Sequence, residues 1–265
     1  CEIHPDERFA SAAPFATGKP LGVVQKIFPK SARTDRGEDV LDRILKIDRR
    51  YVEPPVDPRF VGYARDHWLE LDFGDRLEKL DPTNGLVLYL YGWVEYTYSH
   101  VNYAAHQAGV SLQAPRLEVP DGQGGWRVAI ADAGFPAGLP RMMTLDISAL
   151  SMRDHGRLRL RGNMEIFWDQ IFAGENVLNG DLKETVLRPS VAELRFLGYP
   201  REFSPDGAEP AIYDYHRVDQ GVPFRMMSGK FTRFGDVRKL LERVDDQFVI
   251  MARGEEVALE FDTAA

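Results

Sequence analysis

The sequence predicts a mainly β protein: a β-sandwich of the jelly-roll kind with short helices and with N- and C-terminal extensions. Three observations lead to this prediction. Many short segments alternate apolar and polar residues, 23 glycines and 17 prolines supply turns, and only two segments show the apolar spacing of a helix. A succession of strands with few helices is the pattern of a sandwich.

The clearest strand signal is Leu86–Tyr96, which is apolar on both faces until Glu95 and so predicts a central, buried strand. Arg116–Val119 and Trp126–Ile130 flank a glycine-rich turn and predict a hairpin. The other predicted strands are His67–Phe73, Met142–Ile147, Arg157–Arg161 and Asn163–Phe172, with a terminal hairpin of Gln247–Met251 and Glu256–Phe261.

Two short helices are predicted. In Gly37–Tyr51 the apolar residues recur every three to four positions, with acidic residues early and Arg49 and Arg50 late, which suits the helix dipole. Asp236–Val244 repeats the spacing and begins with a residue suited to an N-cap.

These elements suggest three parts of the chain. Residues 1–60 form an N-terminal extension with one helix, 61–175 the sandwich core, and 176–265 a C-terminal extension with a short helix and the terminal hairpin, packed on the core. The chain also starts and stops abruptly, which predicts a fragment of a longer protein.

Composition excludes several classes of protein. With 33 Lys and Arg against 41 Asp and Glu, the net charge of −8 disfavours binding to nucleic acid. One cysteine excludes a cysteine-rich metal site, and we expect no cofactor. The longest apolar run, Leu86–Val94, is too short to span a membrane.

The order of three elements resembles the galactose-binding-like (discoidin-type) sandwich. An early strand ends in the turn Asp72-Phe73-Gly74, a later hairpin carries Asp121-Gly122 and Trp126, and Arg157–Leu160 supplies a late strand. The resemblance implies the fold of that family.

A second resemblance extends over nearly the whole chain. It rests on the strings Ile3–Phe9, Gly162–Asp169, Gly235–Leu241 and Asp245–Met251. They look like a region of large exported bacterial proteins that carry FG-GAP and ASPIC/UnbV-type repeats upstream. The resemblance implies a periplasmic or extracellular location and a scaffold-like role, and it brings no catalytic residues with it.

The densest feature of the chain is a group of aromatic residues within 89–103. Tyr89, Tyr91 and Trp93 share one strand face and suit a core, whereas Tyr96, Tyr98 and Tyr103 suit either the core or a binding surface. With Phe135, in the loop 134–140, the last three tyrosines are our candidate contact residues for a protein or a sugar.

An enzymatic alternative needs acid and base groups. The candidates are Glu95, His100, Glu165 and Asp169. Glu165 and Asp169 are four residues apart, so one extended strand would separate them by about 13 Å. That exceeds the roughly 5–9.5 Å between the carboxyl groups of glycosidase pairs.

Two other polar groups favour ordinary structural roles. His67, His100 and His106 lack the spacing of a metal site, so we expect no bound metal. Arg157, Arg159 and Arg161 form a basic row that we expect on a solvated strand face.

Together these features favour a non-enzymatic interaction or scaffold module. We expect an accessory subunit of a larger periplasmic or cell-surface assembly, with other protein subunits as partners. The alternatives are a carbohydrate-binding module, with or without calcium, and a carbohydrate-active enzyme built on the same sandwich.

Overall fold

A computed structural model describes residues 1–10, 17–80, 85–150, 156–178, 185–221, 228–243 and 245–263, apart from the side chains of residues 78 and 79. The chain divides into unit 1, Cys1–Leu182, and unit 2, Lys183–Ala265. Both units are built from antiparallel sheets with few and short helices, which confirms the predicted mainly β fold class.

The described residues of unit 1 form ten strands and one α-helix. The strands are β1 (Glu2–Pro5), β2 (Pro20–Val23), β3 (Ser31–Thr34), β4 (Tyr63–Asp72), β5 (Leu86–Val94), β6 (Arg116–Pro120), β7 (Trp126–Ile130), β8 (Arg141–Asp146), β9 (Arg157–Met164) and β10 (Ile166–Glu175). The helix is α1 (Ser99–Gln107), and 3-10 turns cover Leu41–Arg43 and Gly74–Lys79.

Two sheets of unit 1 share one hydrophobic core. The five-stranded sheet has the order β3-β4-β9-β6-β7, and the three-stranded sheet has the order β10-β5-β8. Leu71 and Leu158 of the first sheet belong to the same buried cluster as Leu88, Met143 and Ile171 of the second. The predicted strands of this region are present, including the hairpin of β6 and β7. The exception is the predicted strand Asn163–Phe172, which divides at Glu165 between β9 of one sheet and β10 of the other.

The second face of the three-stranded sheet is also covered. Tyr89 and Phe172 stack with their ring centroids 4.8 Å apart, in a second buried cluster that includes Val23 of β2. The amide of Gly22 donates to Oδ1 of Asn176 at 3.0 Å and ties the hairpin of β1 and β2 to the end of β10. This covering explains why β5 is apolar on both faces, as expected of a central strand.

The predicted helix over Gly37–Tyr51 is wrong. The segment contains only the 3-10 turn Leu41–Arg43. Its backbone instead follows the edge of β10, where Leu45 bridges to Gln170 and Val52 bridges to Trp168. The apolar residues at helical spacing belong to an irregular segment along the edge of the sandwich, where Val40 and Ile44 are buried.

Within its described residues, unit 2 has two small sheets. Its elements are β11 (Val191–Phe196), β12 (Tyr199–Phe203), β13 (Ile212–Asp219), β14 (Gly235–Asp236), α2 (Arg238–Leu241) and β15 (Glu255–Glu260). One sheet has the order β14-β11-β15, and β12 pairs with β13. The fully buried core consists of Ala192, Leu194 and Val237.

Two predictions for unit 2 need correction. The predicted terminal hairpin is wrong, because β15 pairs with β11 and Gln247–Met251 forms no strand. Ile250 instead exchanges hydrogen bonds with Thr232, whose amide donates to the Ile250 carbonyl at 2.9 Å. The predicted helix over Asp236–Val244 shortens to α2, and Val244 lies outside the described residues. Across the described parts of both units, no helix has the length and apolar character needed to cross a membrane.

Candidate functional site

Helix α1 and its approach carry most of the exposed aromatic side chains predicted as contact residues. The chain leaves the buried strand β5 at Val94, and the side chains of Tyr96, Tyr98 and Tyr103 are 46%, 59% and 66% exposed. We call the surface formed by Tyr96, Tyr98, His100 and Tyr103 the tyrosine surface. By contrast, Tyr89 and Trp93 are buried, so this half of the aromatic group belongs to the core.

Two rings of the tyrosine surface stack on each other. Tyr98 and His100 stack with their centroids 5.7 Å apart and their planes inclined by 13°. Tyr103 follows His100 by three residues along the helix, so the two side chains project from the same side of α1. The result is a patch of large amphipathic rings with polar tips.

Buried contacts hold α1 in place beneath this surface. Ala105 packs with Phe60 and Tyr63 in a small buried cluster. The Tyr63 hydroxyl donates to Oδ1 of Asn102 at 2.6 Å. Val101 packs against the same cluster, so the helix presents one apolar face inward and leaves its aromatic side chains outside.

The loop 134–140 adjoins the tyrosine surface through one hydrogen bond. The amide of Gly138 donates to the Tyr96 hydroxyl at 2.6 Å. Phe135, the fourth predicted contact residue, is only half exposed and packs against Phe9 with a centroid distance of 5.3 Å. It also contacts the main core, so Phe135 anchors the loop.

Glu165 lies at the turn between β9 and β10 and is almost fully buried. Its carboxylate accepts a hydrogen bond from the amide of Gly62 at 3.1 Å. The Glu165 carbonyl accepts from the amide of Glu95 at 2.9 Å, so these two acidic residues are neighbours. Burial raises the pKa of Glu165, the Gly62 amide opposes this, and the Glu95 carboxylate adds to it.

Asp169 is fully buried and serves a different loop. The register of β10 against β5 shifts between Trp168 and Gln170, so Asp169 is the extra residue of a β-bulge. Its carboxylate accepts from the amides of Asp48 at 3.2 Å and Arg49 at 3.1 Å. Burial raises its pKa.

The four candidate acid and base groups therefore divide into separate roles. Glu165 and Asp169 each bind backbone amides of a different segment, whereas His100 belongs to the tyrosine surface. Of the predicted set, only Glu95 and Glu165 are brought together as two carboxylates.

The structure does not bring His67, His100 and His106 into a metal-binding group. Nδ1 of His67 donates to the carbonyl of Arg65 at 2.8 Å, and burial lowers the pKa of the ring. His67 lines a cavity of about 30 Å³ beside Trp68 and Trp168, roughly the size that holds one water molecule. No group of three metal-binding side chains occurs among the described residues.

The arginine row differs from the expected solvated face. Arg157 and Arg159 both pair with Glu70, and Arg161 pairs with Asp66. The Arg159 side chain is only 13% exposed. The prediction of a solvated row is therefore wrong for Arg159, whose charge is enclosed on the sheet face.

Sequence reasoning missed the helix that carries the tyrosine surface. The only available signal was the i,i+4 pair of Val101 and Ala105, both of which face the cluster under α1. No apolar stripe of ordinary width accompanies this pair, since Asn102 and His106 interrupt it.

No protein-family model, no curated protein and no solved structure matches this chain. The resemblances to the galactose-binding-like sandwich and to exported bacterial proteins therefore stay predictions from the sequence.

Proposed function

We propose that the protein is a non-enzymatic binding module and that the tyrosine surface contacts another protein subunit. The observation that carries the proposal is the exposure of Tyr96, Tyr98 and Tyr103 around a single anchored helix. Tyrosine is enriched at protein interfaces because its ring gives a large contact area and its hydroxyl remains able to form hydrogen bonds.

The tyrosine surface is held in position before any partner binds. The bond from Tyr63 to Asn102 fixes the helix, and the bond from Gly138 to Tyr96 fixes the approach to it. A prearranged surface loses less conformational entropy on association, which favours binding.

The sequence resemblance to exported bacterial proteins supports the setting of this proposal. We place the module in a periplasmic or cell-surface assembly as an accessory subunit. The engagement of Glu165 and Asp169 with backbone amides supports a binding role rather than catalysis.

The test starts from the native assembly, purified gently from the source cells and analysed for chain composition by mass spectrometry. We expect a stoichiometric partner that is lost with Tyr98→Ala and Tyr103→Ala. Tyr215→Ala is the matched control, because Tyr215 is 64% exposed but lies on β13. A chain that purifies alone, or a complex that survives both variants while thermal unfolding is unchanged, would contradict the proposal.

A second candidate function rests on the neighbouring carboxyl groups of Glu95 and Glu165. A buried acid with a raised pKa beside a second carboxylate is an arrangement used in glycoside hydrolysis. This alternative, a carbohydrate-active enzyme, predicts polysaccharide hydrolysis that disappears with Glu165→Gln and persists with Tyr98→Ala.

A further inference from the structure

Unit 2 ends in a strand with one open edge. In the sheet β14-β11-β15, β15 pairs with β11 on one side, and no described strand pairs with its other side. Edge strands present unpaired backbone groups and are templates for pairing with another chain.

The open edge of β15 offers two residues for such pairing. The amide of Leu197 donates to the carbonyl of Gly254 at 2.8 Å, which sets the phase of the ladder between β11 and β15. Backbone groups alternate in direction along a strand, so the N–H and C=O groups of Val257 and Leu259 point away from β11. They have no hydrogen-bond partner among the described residues.

Beyond Glu255, one face of this edge is apolar. Val257 and Leu259 lie opposite Leu194 and Ala192, so all four share a sheet face. Leu194 and Ala192 are buried, but Leu259 is 48% exposed and Phe261, next on the same face, is 45% exposed. The apolar face therefore continues past the covered core to the open edge.

The other face is acidic. It carries Glu193, Glu256 and Glu260, with Arg195 as the only basic residue among these pairs. Nε of Arg195 already donates to Glu256 at 2.8 Å, and the exposed Glu260 is the other glutamate of β15 on this face. A strand with basic side chains on this face would complement the charge.

A second copy of the protein fits this edge poorly. Antiparallel pairing of β15 with itself places Glu256 opposite or diagonal to Glu256, Glu260 or Asp262 of the other copy, in each register that uses the outward backbone groups. Like charges at such positions destabilise a strand pair. The charge pattern therefore favours a different partner.

We propose that unit 2 binds an extended partner segment that alternates apolar and basic residues, by adding it as a strand at the open edge of β15. Main-chain hydrogen bonds to Val257 and Leu259 supply affinity, and the two faces select the side chains. This site lies in unit 2 and is independent of the tyrosine surface in unit 1.

The test uses the full 265-residue chain, labelled with ¹⁵N, and a capped octapeptide of alternating valine and lysine. We expect the amide resonances of Val257 and Leu259 to shift and their hydrogen exchange to slow when the peptide binds. The matched peptide with glutamate in place of lysine should bind at least about tenfold more weakly, and added salt should weaken the lysine peptide.

Variants separate the backbone from the side-chain contribution. Leu259→Pro removes an outward N–H and should abolish binding, whereas Leu259→Ala keeps the N–H and should weaken it only a few-fold. Glu260→Lys should reverse the preference between the two peptides. If Leu259→Pro does not fold, Glu260→Lys alone tests the proposal. Its fold should be kept, because Glu260 is exposed.

Three outcomes would overturn the proposal. The first is a titration in which neither amide responds, and the second is equal binding of both peptides. The third is a dimer of the free chain, detected by sedimentation, that Glu260→Lys strengthens or Leu259→Pro dissociates, because a second copy would then occupy the edge. The peptide measurements on unit 2 do not depend on the tyrosine surface. A native complex that is lost only through Tyr98→Ala would therefore leave the peptide results unchanged.

Discussion

The guanidinium carbon of Arg159 lies 3.9 Å from the centroid of the Trp68 ring. The same carbon is 3.9 Å from the ring centroid of Trp126. Because β9 lies between β4 and the hairpin of β6 and β7, these contacts connect three parts of the five-stranded sheet. Nη2 of Arg159 also donates to Glu70 at 2.9 Å, so the charge is paired as well as stacked.

This arrangement predicts that Arg159→Lys destabilises unit 1 by about 1–2 kcal/mol. Lysine keeps the charge but loses the planar group that contacts both rings. Urea unfolding followed by tryptophan fluorescence measures the effect on unit 1, where all four tryptophans lie. Arg195→Lys, at an exposed arginine of β11, is the control and should leave this transition in place. An equally stable Arg159→Lys would show that the ring contacts contribute nothing.

Asp169→Ala should destabilise unit 1 by about 2–4 kcal/mol, because it leaves the amides of Asp48 and Arg49 without their acceptor. Arg49 has a positive φ of 68°, so its strained backbone depends on that acceptor. Hydrogen exchange at these two amides should accelerate. Asp42→Ala, which removes only an exposed partner of Arg50, is the control. Unchanged exchange would exclude the anchoring role.

The raised pKa of Glu165 predicts how stability changes with pH. The folded state binds the proton of the Glu165 carboxyl group more tightly than the unfolded state does. Protonation of Glu165 therefore stabilises the fold, and this contribution is complete below the unfolded pKa. It is lost as the pH rises through the higher folded pKa. Glu165→Gln imitates the protonated acid, so its stability relative to the native protein should increase with pH across that window.

Thermal unfolding from pH 4 to pH 8 measures this difference. Asp57→Asn provides the opposite case, because hydrogen bonds from Arg59 lower the pKa of Asp57 to about 2. The ionised Asp57 carboxylate stabilises the fold above the unfolded pKa, and this contribution is lost as the pH falls. Asp57→Asn should therefore lower the free energy of unfolding most near neutral pH. A Glu165→Gln difference that does not vary with pH would contradict the assignment.

The strands of the sandwich could be predicted because alternation reports directly on a face of a sheet. β5, apolar on both sides, even indicated its central place. The helix prediction for Gly37–Tyr51 was wrong because an irregular segment along a sheet edge also buries residues three or four positions apart, such as Val40 and Ile44. The terminal hairpin failed because β15 pairs with the distant β11, and sequence proximity favours the wrong partner.

The candidate sites were predictable to different degrees. The sequence left Tyr96, Tyr98 and Tyr103 open between core and surface, and the structure places all three side chains on the surface. The spacing of Glu165 and Asp169 already predicted their separation, but the β-bulge at Asp169 could not be foreseen, because a bulge is a property of two strands together. Nothing in the residues 165–169 alone shows which of them lacks a partner in β5.

The bond between Gly22 and Asn176 also has a consequence for protein synthesis. The two residues are 154 positions apart in the chain. A ribosome that adds about 5–20 residues per second needs roughly 8–30 s to make that interval. During this time the apolar side of the first hairpin lacks Phe172 of β10, so we expect Val23 to stay accessible to chaperones that bind nascent chains until β10 is made.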